Sequence, residues 1–355
     1  MRAWVLHDIG DIRMEETERP HPGRGEVLLS VKAAGICGSD IPRIYTTGAH
    51  RHPLIPGHEF AGSVEALGEG VEAGWLGKSV GVFPLLPCGQ CHPCRNRQYE
   101  MCRNYSYLGS RKNGGFAEYV AVPVENLIVL PQGVSFEEAA MLEPMAVAVH
   151  AMRRIRLKEA NTVAVCGLGT IGIMLLQFLM EAWKTQGCGT ENIYVIGNKE
   201  FQRQQIVKLG LPESCFCDGS QQDMSNWLME RTNGRGADLF FECVGKNETL
   251  MQAVDNTAPA GQICLVGNPA SNMLLEQKVY WKILRNQLML TGTWNSSFLH
   301  EETDDWHYVL DRLSWNQVKP DRFITHRLAL EELEQGLHIM RDKREDYVKI
   351  MVTMD

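Results

Sequence analysis

Val163-Ala164-Val165-Cys166-Gly167-Leu168-Gly169-Thr170-Ile171-Gly172-Ile173-Met174-Leu175-Leu176 decides how much of this chain folds. A short run with a buried-strand pattern enters G-x-G-x-x-G and leaves as the start of an apolar helix. The first glycine permits a tight turn, the second lets the backbone approach a pyrophosphate, and the third lets helix and sheet pack closely. The diphosphate then rests on the N–H groups of the helix start. Gly167, Gly169, Thr170, Ile171 and Gly172 are therefore candidate dinucleotide ligands; the alternative is a glycine turn of purely structural use. Working outward, the pattern predicts a helix from Thr170 to Trp183, a strand at Asn192 to Ile196 and a helix from Phe201 to Leu209. Strands near Asp238 to Cys243 and at Gln262 to Val266 follow. Strands alternating with helices imply an α/β unit with a doubly wound parallel sheet.

Upstream the pattern differs. Short alternating runs such as Glu26-Val27-Leu28-Leu29-Ser30-Val31-Lys32, broken by Gly and Pro, read as an antiparallel β-domain. We expect this domain over residues 1–148, the dinucleotide-binding domain over 149–289, and a C-terminal segment, 290–355, that returns to the first domain.

At the end of the second parallel strand, the acid that commonly grips the adenosine ribose is missing. Gly197-Asn198-Lys199 stands there instead, offering donors and a positive charge where a carboxylate would repel a 2′-phosphate. The expected cofactor is NAD(P), with NADP favoured. An ordinary exposed turn with an incidental lysine beside Glu200 is the competing interpretation.

Cys88-x2-Cys91-x2-Cys94-x7-Cys102 lies in a turn-rich stretch, Pro87-Cys88-Gly89-Gln90-Cys91-His92-Pro93-Cys94. Four thiolates in a short loop can close a tetrahedron round Zn²⁺ and leave no open position, so the site is structural. A disulfide cluster is the alternative; the other cysteines are scattered through apolar stretches, as in a reducing compartment. Any reactive metal must then be held elsewhere. Cys37 in Gly35-Ile36-Cys37-Gly38-Ser39-Asp40, His58 in Gly57-His58-Glu59-Phe60, and Glu143 before Pro144 are candidates. Three protein ligands leave a fourth position for water or substrate. Taken singly, Cys37 could be an apolar core cysteine and His58 a hydrogen-bonded core histidine.

With 355 residues, the chain is long enough for two domains. A net charge of −8 with dispersed Lys and Arg gives no footprint for nucleic acid or an anionic membrane. No apolar run approaches the ~18 residues of a membrane span, and the first residues meet acids too early for a signal peptide. A cytoplasmic protein with a small-molecule substrate, forming a homodimer or homotetramer, is expected.

The pattern Gly57-His58-Glu59-x2-Gly62-x5-Gly68-x2-Val71, the four-cysteine lobe and the later glycine turn occur in the order found in zinc-dependent medium-chain dehydrogenases/reductases. The resemblance extends over essentially the whole chain. Cys37-Gly38-Ser39-Asp40-Ile41-Pro42-Arg43-Ile44, Pro84 to Cys88, Gly109-Ser110-Arg111 and Gly114 to Tyr119 are most similar to galactitol-1-phosphate 5-dehydrogenases, and next to sorbitol and other polyol dehydrogenases. It implies a GroES-like β-domain, completed by the C-terminal tail, beside a Rossmann domain. It also implies a catalytic zinc on Cys37, His58 and Glu143 with Glu59 alongside, and a structural zinc on Cys88, Cys91, Cys94 and Cys102. Two departures stand out: Pro42 replaces the histidine that often relays a proton, and the Gly-Asn-Lys turn resembles the Gly-Ser-Arg turn of NADP-dependent secondary alcohol dehydrogenases.

The expected activity is hydride transfer between a secondary hydroxyl of a polyol or polyol phosphate and the nicotinamide. Ser39 would pass the proton, or would merely cap a helix starting at Asp40. Arg43, His50, Arg51, His52 and Arg111 flank the metal motifs and could hold a phosphate. The alternatives are a short-chain secondary alcohol or threonine-type dehydrogenase and an NADPH-binding, quinone-reductase-like protein without catalytic zinc. A DNA-binding zinc protein is disfavoured by the acidic charge balance.

Overall fold

A computed structural model describes residues 1–269 and 271–354. The chain divides into two compact units, Met1–Ala146 with Ser296–Asp355, and Val147–Asn295. The parallel sheet of the second unit follows from its sequence most directly. Val163–Cys166 is buried along its whole length and runs parallel to Ile193–Gly197 on one side and Ala237–Glu242 on the other. Phe216–Asp218 closes one edge, while Thr257–Leu265 and Met289–Gly292 extend the other. In order of appearance the strands lie 3-2-1-4-5-6, with the reversal beside Val163–Cys166, where the glycine turn emerges.

Two boundaries differ from expectation by more than two residues. The fifth strand begins at Thr257 rather than Gln262, because Pro259 and Gly261 sit in an irregular strand whose register shifts opposite Ala237 and Leu239, with Ala260 left-handed at φ 62°. Such a bulge reads in sequence as a turn. The expected domain boundary after residue 289 falls inside the last strand, Met289–Gly292, and the second unit runs on to Asn295. A four-residue edge strand carries too little periodicity to be seen beforehand.

In the first unit, a seven-stranded sheet runs Ile324–Ala329, Lys349–Thr353, Glu26–Ile36, Glu59–Leu67, Ser79–Val82 and Leu127–Val129 in spatial order, with Tyr119–Pro123 also pairing to Glu26–Ile36. All its pairs are antiparallel except Ile324–Ala329 with Lys349–Thr353. The two C-terminal strands thus complete the N-terminal sheet, and Ile350 and Val352 join its core with Val31, Ile36, Phe60 and Phe116. Each such side chain contributes about 1.5–3 kcal/mol when fully buried. No described helix is long and apolar enough to cross a membrane.

Candidate metal and dinucleotide sites

Strand register builds the first site. Gly35 pairs with Glu59, so Cys37, just past the end of one strand, faces His58, just before the start of its neighbour. On the other side Ile36 pairs with Ile350 and brings in Lys349, the first residue of its strand. One ligand atom each from Cys37, His58 and Glu59 lies within 4.8 Å of the others. Glu143, second in the helix Leu142–Arg153, is buried, and its charge interacts with those of His58 and Glu59.

Around these residues most polar groups are paired, while buried His58 Nδ1 faces Asp40 without a hydrogen bond. Asp40, fully buried, accepts from the Cys37 N–H at 3.0 Å and from Arg43, and its Oδ1 stands 3.4 Å from His58 Nδ1. Burial alone would raise the Asp40 carboxyl, but His58, then Arg43 and the Cys37 N–H, hold it below its ordinary value. With Nδ1 turned towards Asp40, Nε2 is the nitrogen left for a metal. Tyr107 donates to Glu143 Oε1 at 3.1 Å and packs edge-on to His58. Lys349 donates to the Ile36 carbonyl at 3.1 Å and forms a fully buried ion pair with Glu59. Gly35 makes room for that pair, because a Cβ there would lie 2.3 Å from Glu59 Oε2.

These residues fit a divalent cation. Burial, followed by the Glu59 charge, pushes the Glu143 carboxyl up to about 7 against the opposing pull of His58 and Lys349. Two buried carboxylates, a thiol and an imidazole converge beside Lys349, a donor set that suits a divalent cation. Ser39 occupies the N-cap position of the helix Asp40–Tyr45, yet its side chain makes no cap bond. Its Oγ donates instead to Cys37 Sγ at 3.4 Å and accepts from Arg43 at 3.5 Å.

The phosphate candidates divide. Arg43 reaches Ser39, and His50 is held below its ordinary value by burial and then by the nearby charges of Arg111 and Arg43. Arg111 itself donates to the Tyr105 carbonyl at 2.5 Å and stacks on the Tyr105 ring. Arg51 lies apart, donating to Asn113 Oδ1 and lining a separate cavity of about 480 Å³ with Lys112 and Asn113. His52 accepts from the Ala49 N–H at 3.5 Å, a local bond.

The second cluster is local. Cys88, Cys91, Cys94 and Cys102 converge with their sulfurs within 4.8 Å, Cys91 and Cys94 at 3.5 Å and Cys91 and Cys102 at 3.8 Å. These are far beyond the ~2.05 Å of a disulfide, and the cysteines are free thiols. Backbone N–H groups of Arg103 and Cys94 lower the Cys91 thiol to about 6, whereas burial raises Cys94 to about 12. Four convergent sulfurs fit a tetrahedral zinc.

In the second unit Gly167 takes φ 100°, and its N–H donates to the Ile196 carbonyl. A Cβ on Gly172 would lie 1.9 Å from the Gly167 carbonyl oxygen, whereas one on Gly169 would meet nothing within 4 Å. The turn is tight on its protein side and open at the start of the helix Thr170–Thr185, the cradle a pyrophosphate needs. Ile171 begins the helix with Thr170, and Gly197 ends the next strand with Asn198 and Lys199 exposed beyond it.

The model of the alcohol dehydrogenase GroES-like domain matches residues 23–132, and that of the zinc-binding dehydrogenase matches residues 170–315. The galactitol 1-phosphate 5-dehydrogenase of Escherichia coli K12 is 30% identical over 339 residues, 95% of each chain. The chain belongs to the zinc-dependent medium-chain dehydrogenases. A sorbitol dehydrogenase of Bacillus subtilis is 28% identical over 99% of this chain and 97% of its own. The crystal structure of the Escherichia coli galactitol-1-phosphate dehydrogenase superposes with a TM-score of 0.88 at 29% identity over the whole of both chains. Among similar medium-chain dehydrogenase structures, one described as a zinc-binding dehydrogenase from Sinorhizobium meliloti 1021 is bound to NADP (TM-score 0.88, 25% identity, 99% of each chain). A short chain alcohol dehydrogenase from Escherichia coli CFT073 carries NADH (TM-score 0.89, 27% identity, 100% of this chain and 99% of that). The chain is thus an NAD(P)-dependent oxidoreductase of the alcohol and polyol dehydrogenase family.

Sequence reasoning missed three residues of the metal site. Asp40, a carboxylate three residues after Cys37, has the spacing of an orienting group and carries that signal in the sequence. Lys349 announces itself as a lone cation in the apolar run Val348 to Val352. Tyr107 carries no sequence signal that separates it from Tyr105.

Proposed function

We propose that this enzyme interconverts a secondary hydroxyl of a polyol phosphate and the corresponding ketone, with NADP(H) as the favoured cofactor. The observation that carries the substrate reading is Arg43 beside Ser39, with His50 within reach of the charges of both Arg43 and Arg111. Cys37, His58 and Glu143 hold the catalytic zinc with Glu59 beside them, and the four lobe cysteines hold the structural one. When bound, zinc supplies the Lewis acidity that acidifies a hydroxyl, and the nicotinamide supplies the hydride acceptor. Ser39 takes the hydroxyl proton on Oγ while giving up its own to solvent water, since Pro42 offers no relay. Asp40 holds the His58 ring, Tyr107 holds Glu143, and Lys349 holds Glu59. Gly167, Gly169, Thr170, Ile171 and Gly172 cradle the pyrophosphate, while Gly197, Asn198 and Lys199 receive the 2′-phosphate. The galactitol 1-phosphate relative supports the ester and the sorbitol relative supports the free polyol, so the two substrate classes must be compared directly.

A screen of polyols and their monophosphates with both cofactors, followed by nicotinamide absorbance, tests the reading. Phosphate esters should show the higher kcat/KM, with a preference that weakens as salt screens the charges. An enzyme that prefers free sorbitol to every ester overturns the phosphate assignment.

The assembly belongs to the same proposal: a homodimer that pairs the edge strand Met289–Gly292 of two copies. Met289, Leu290, Trp281 and Leu284 are exposed on and beside that strand. Light scattering should give twice the chain mass, and Leu290→Lys should reduce it to the monomer. A cytoplasmic location is supported by the thiols of Cys166, Cys217 and Cys264, packed reduced inside strands.

A further inference from the structure

We propose that Gln202 is a further specificity-determining residue of the dinucleotide site: its neutral carboxamide fills the place of the acid missing from position 197 and keeps the ribose turn open to a 2′-phosphate. This rests on the NADP reading above and names the residue that maintains it.

Gln202 lies in the first turn of the helix Glu200–Lys208. Its Oε1 accepts from the Asn198 N–H at 2.9 Å, and its Nε2 donates to the Leu168 carbonyl at 3.1 Å. The amide presents an acceptor and a donor on separate atoms, as the Asn198 N–H and the Leu168 carbonyl require. The side chain therefore braces the end of Ile193–Gly197 against the glycine turn, the two segments that a dinucleotide must touch together. The brace also accounts for Gly197. A Cβ there would lie 2.6 Å from Gln202 Oε1, 2.9 Å from Phe216 Cε2 and 3.2 Å from Leu168 Cδ1. An aspartate at 197 would have to displace a carboxamide held at both ends. The usual acid is thus not simply absent, because its space is taken by a group of the same shape as a carboxylate but without its charge.

The charge at position 202 should then set cofactor choice. In Gln202→Glu the bond from Asn198 survives, the one to Leu168 is lost, and a carboxylate stands where it repels a 2′-phosphate. Gln202→Ala removes the brace without adding charge, and Gln202→Lys adds the opposite charge. Binding of NADPH and NADH to the zinc-loaded protein, titrated by nicotinamide fluorescence, gives a Kd ratio for each variant independently of turnover. The NADH-to-NADPH Kd ratio should fall about tenfold or more from parent to Gln202→Glu, the effect of ~1.4 kcal/mol of added repulsion. It should stay within a few fold in Gln202→Ala, where both affinities weaken together, and rise in Gln202→Lys. If Gln202→Glu does not fold, the ordering of alanine, parent and lysine still decides. Ratios that do not follow the charge, or a glutamate variant indistinguishable from alanine, overturn the inference. A parent that binds NADH more tightly defeats the NADP reading alone, while the charge ordering at 202 is read as before.

Discussion

The two cysteine-bearing sites of the first unit hold candidate ligands in opposite ways. The closed lobe draws Cys88, Cys91, Cys94 and Cys102 from fifteen consecutive residues, carried by a one-turn helix, His92–Arg95, and a 3₁₀ turn, Tyr99–Met101. It has scarcely any core of its own, so the metal itself must supply its stability. The open site gathers Cys37, His58, Glu59, Glu143 and Lys349 from strands and a helix spread over most of the chain. There the sheet is already in place and the ligands are its termini. Local assembly should therefore couple metal to folding, and long-range assembly should couple metal to chemistry.

Exchange of one ligand in each site gives the largest contrast. Cys91→Ser should lower zinc content from two per chain to one and reduce stability by several kcal/mol, read by metal analysis and thermal melts. His58→Ala should lose the other zinc and abolish turnover while the melt changes far less. Equal losses of stability in both variants would erase the distinction.

Within the open site the effects should fall with distance from the proton. Ser39→Ala should lower kcat/KM by roughly 10²–10⁴ with zinc retained, and less at high pH where the hydroxyl loses its proton unaided. Full activity at neutral pH would remove Ser39 from the mechanism. Smaller is the expected loss in Lys349→Met and Tyr107→Phe, about 10–100-fold in zinc affinity or kcat, because each acts through a carboxylate. Lys349→Met also leaves Glu59 buried without a partner in the zinc-free protein, at a cost of roughly 3–5 kcal/mol. Lys349→Arg should recover most of that stability, as followed by melts of metal-stripped protein. Arg43→Ala should narrow the preference for phosphate esters in kcat/KM and also lower the turnover of free polyols, because it leaves buried Asp40 without its cation and Ser39 Oγ without a donor.

Legibility followed the same divide. The lobe could be read from spacing, because fifteen residues leave a short loop few ways to place four sulfurs. The glycine turn could be read because a strand before and a helix after restrict what G-x-G-x-x-G can be. Ser39 could not be settled: both a cap and a proton carrier suit a serine before a short helix, and the observed bond to Cys37 Sγ depends on rotamer, not on sequence. The irregular strand Thr257–Leu265 looks shorter in the sequence than it is, because Pro and Gly look like a turn until a neighbouring strand supplies its hydrogen bonds.

Sequence alone determined what is set within a few residues by periodicity, turn chemistry and ligand spacing: the two unit types, the four-sulfur lobe and the dinucleotide turn. Tertiary structure decided what depends on register between distant strands. Only the pairings of Gly35 with Glu59 and of Ile36 with Ile350 place Cys37, His58 and Lys349 together. Only the packing of one helix turn against two loops puts the Gln202 carboxamide beside Gly197. A sheet converts a sequence separation of some three hundred residues into neighbouring strands about 5 Å apart, and no local pattern in the chain records that distance.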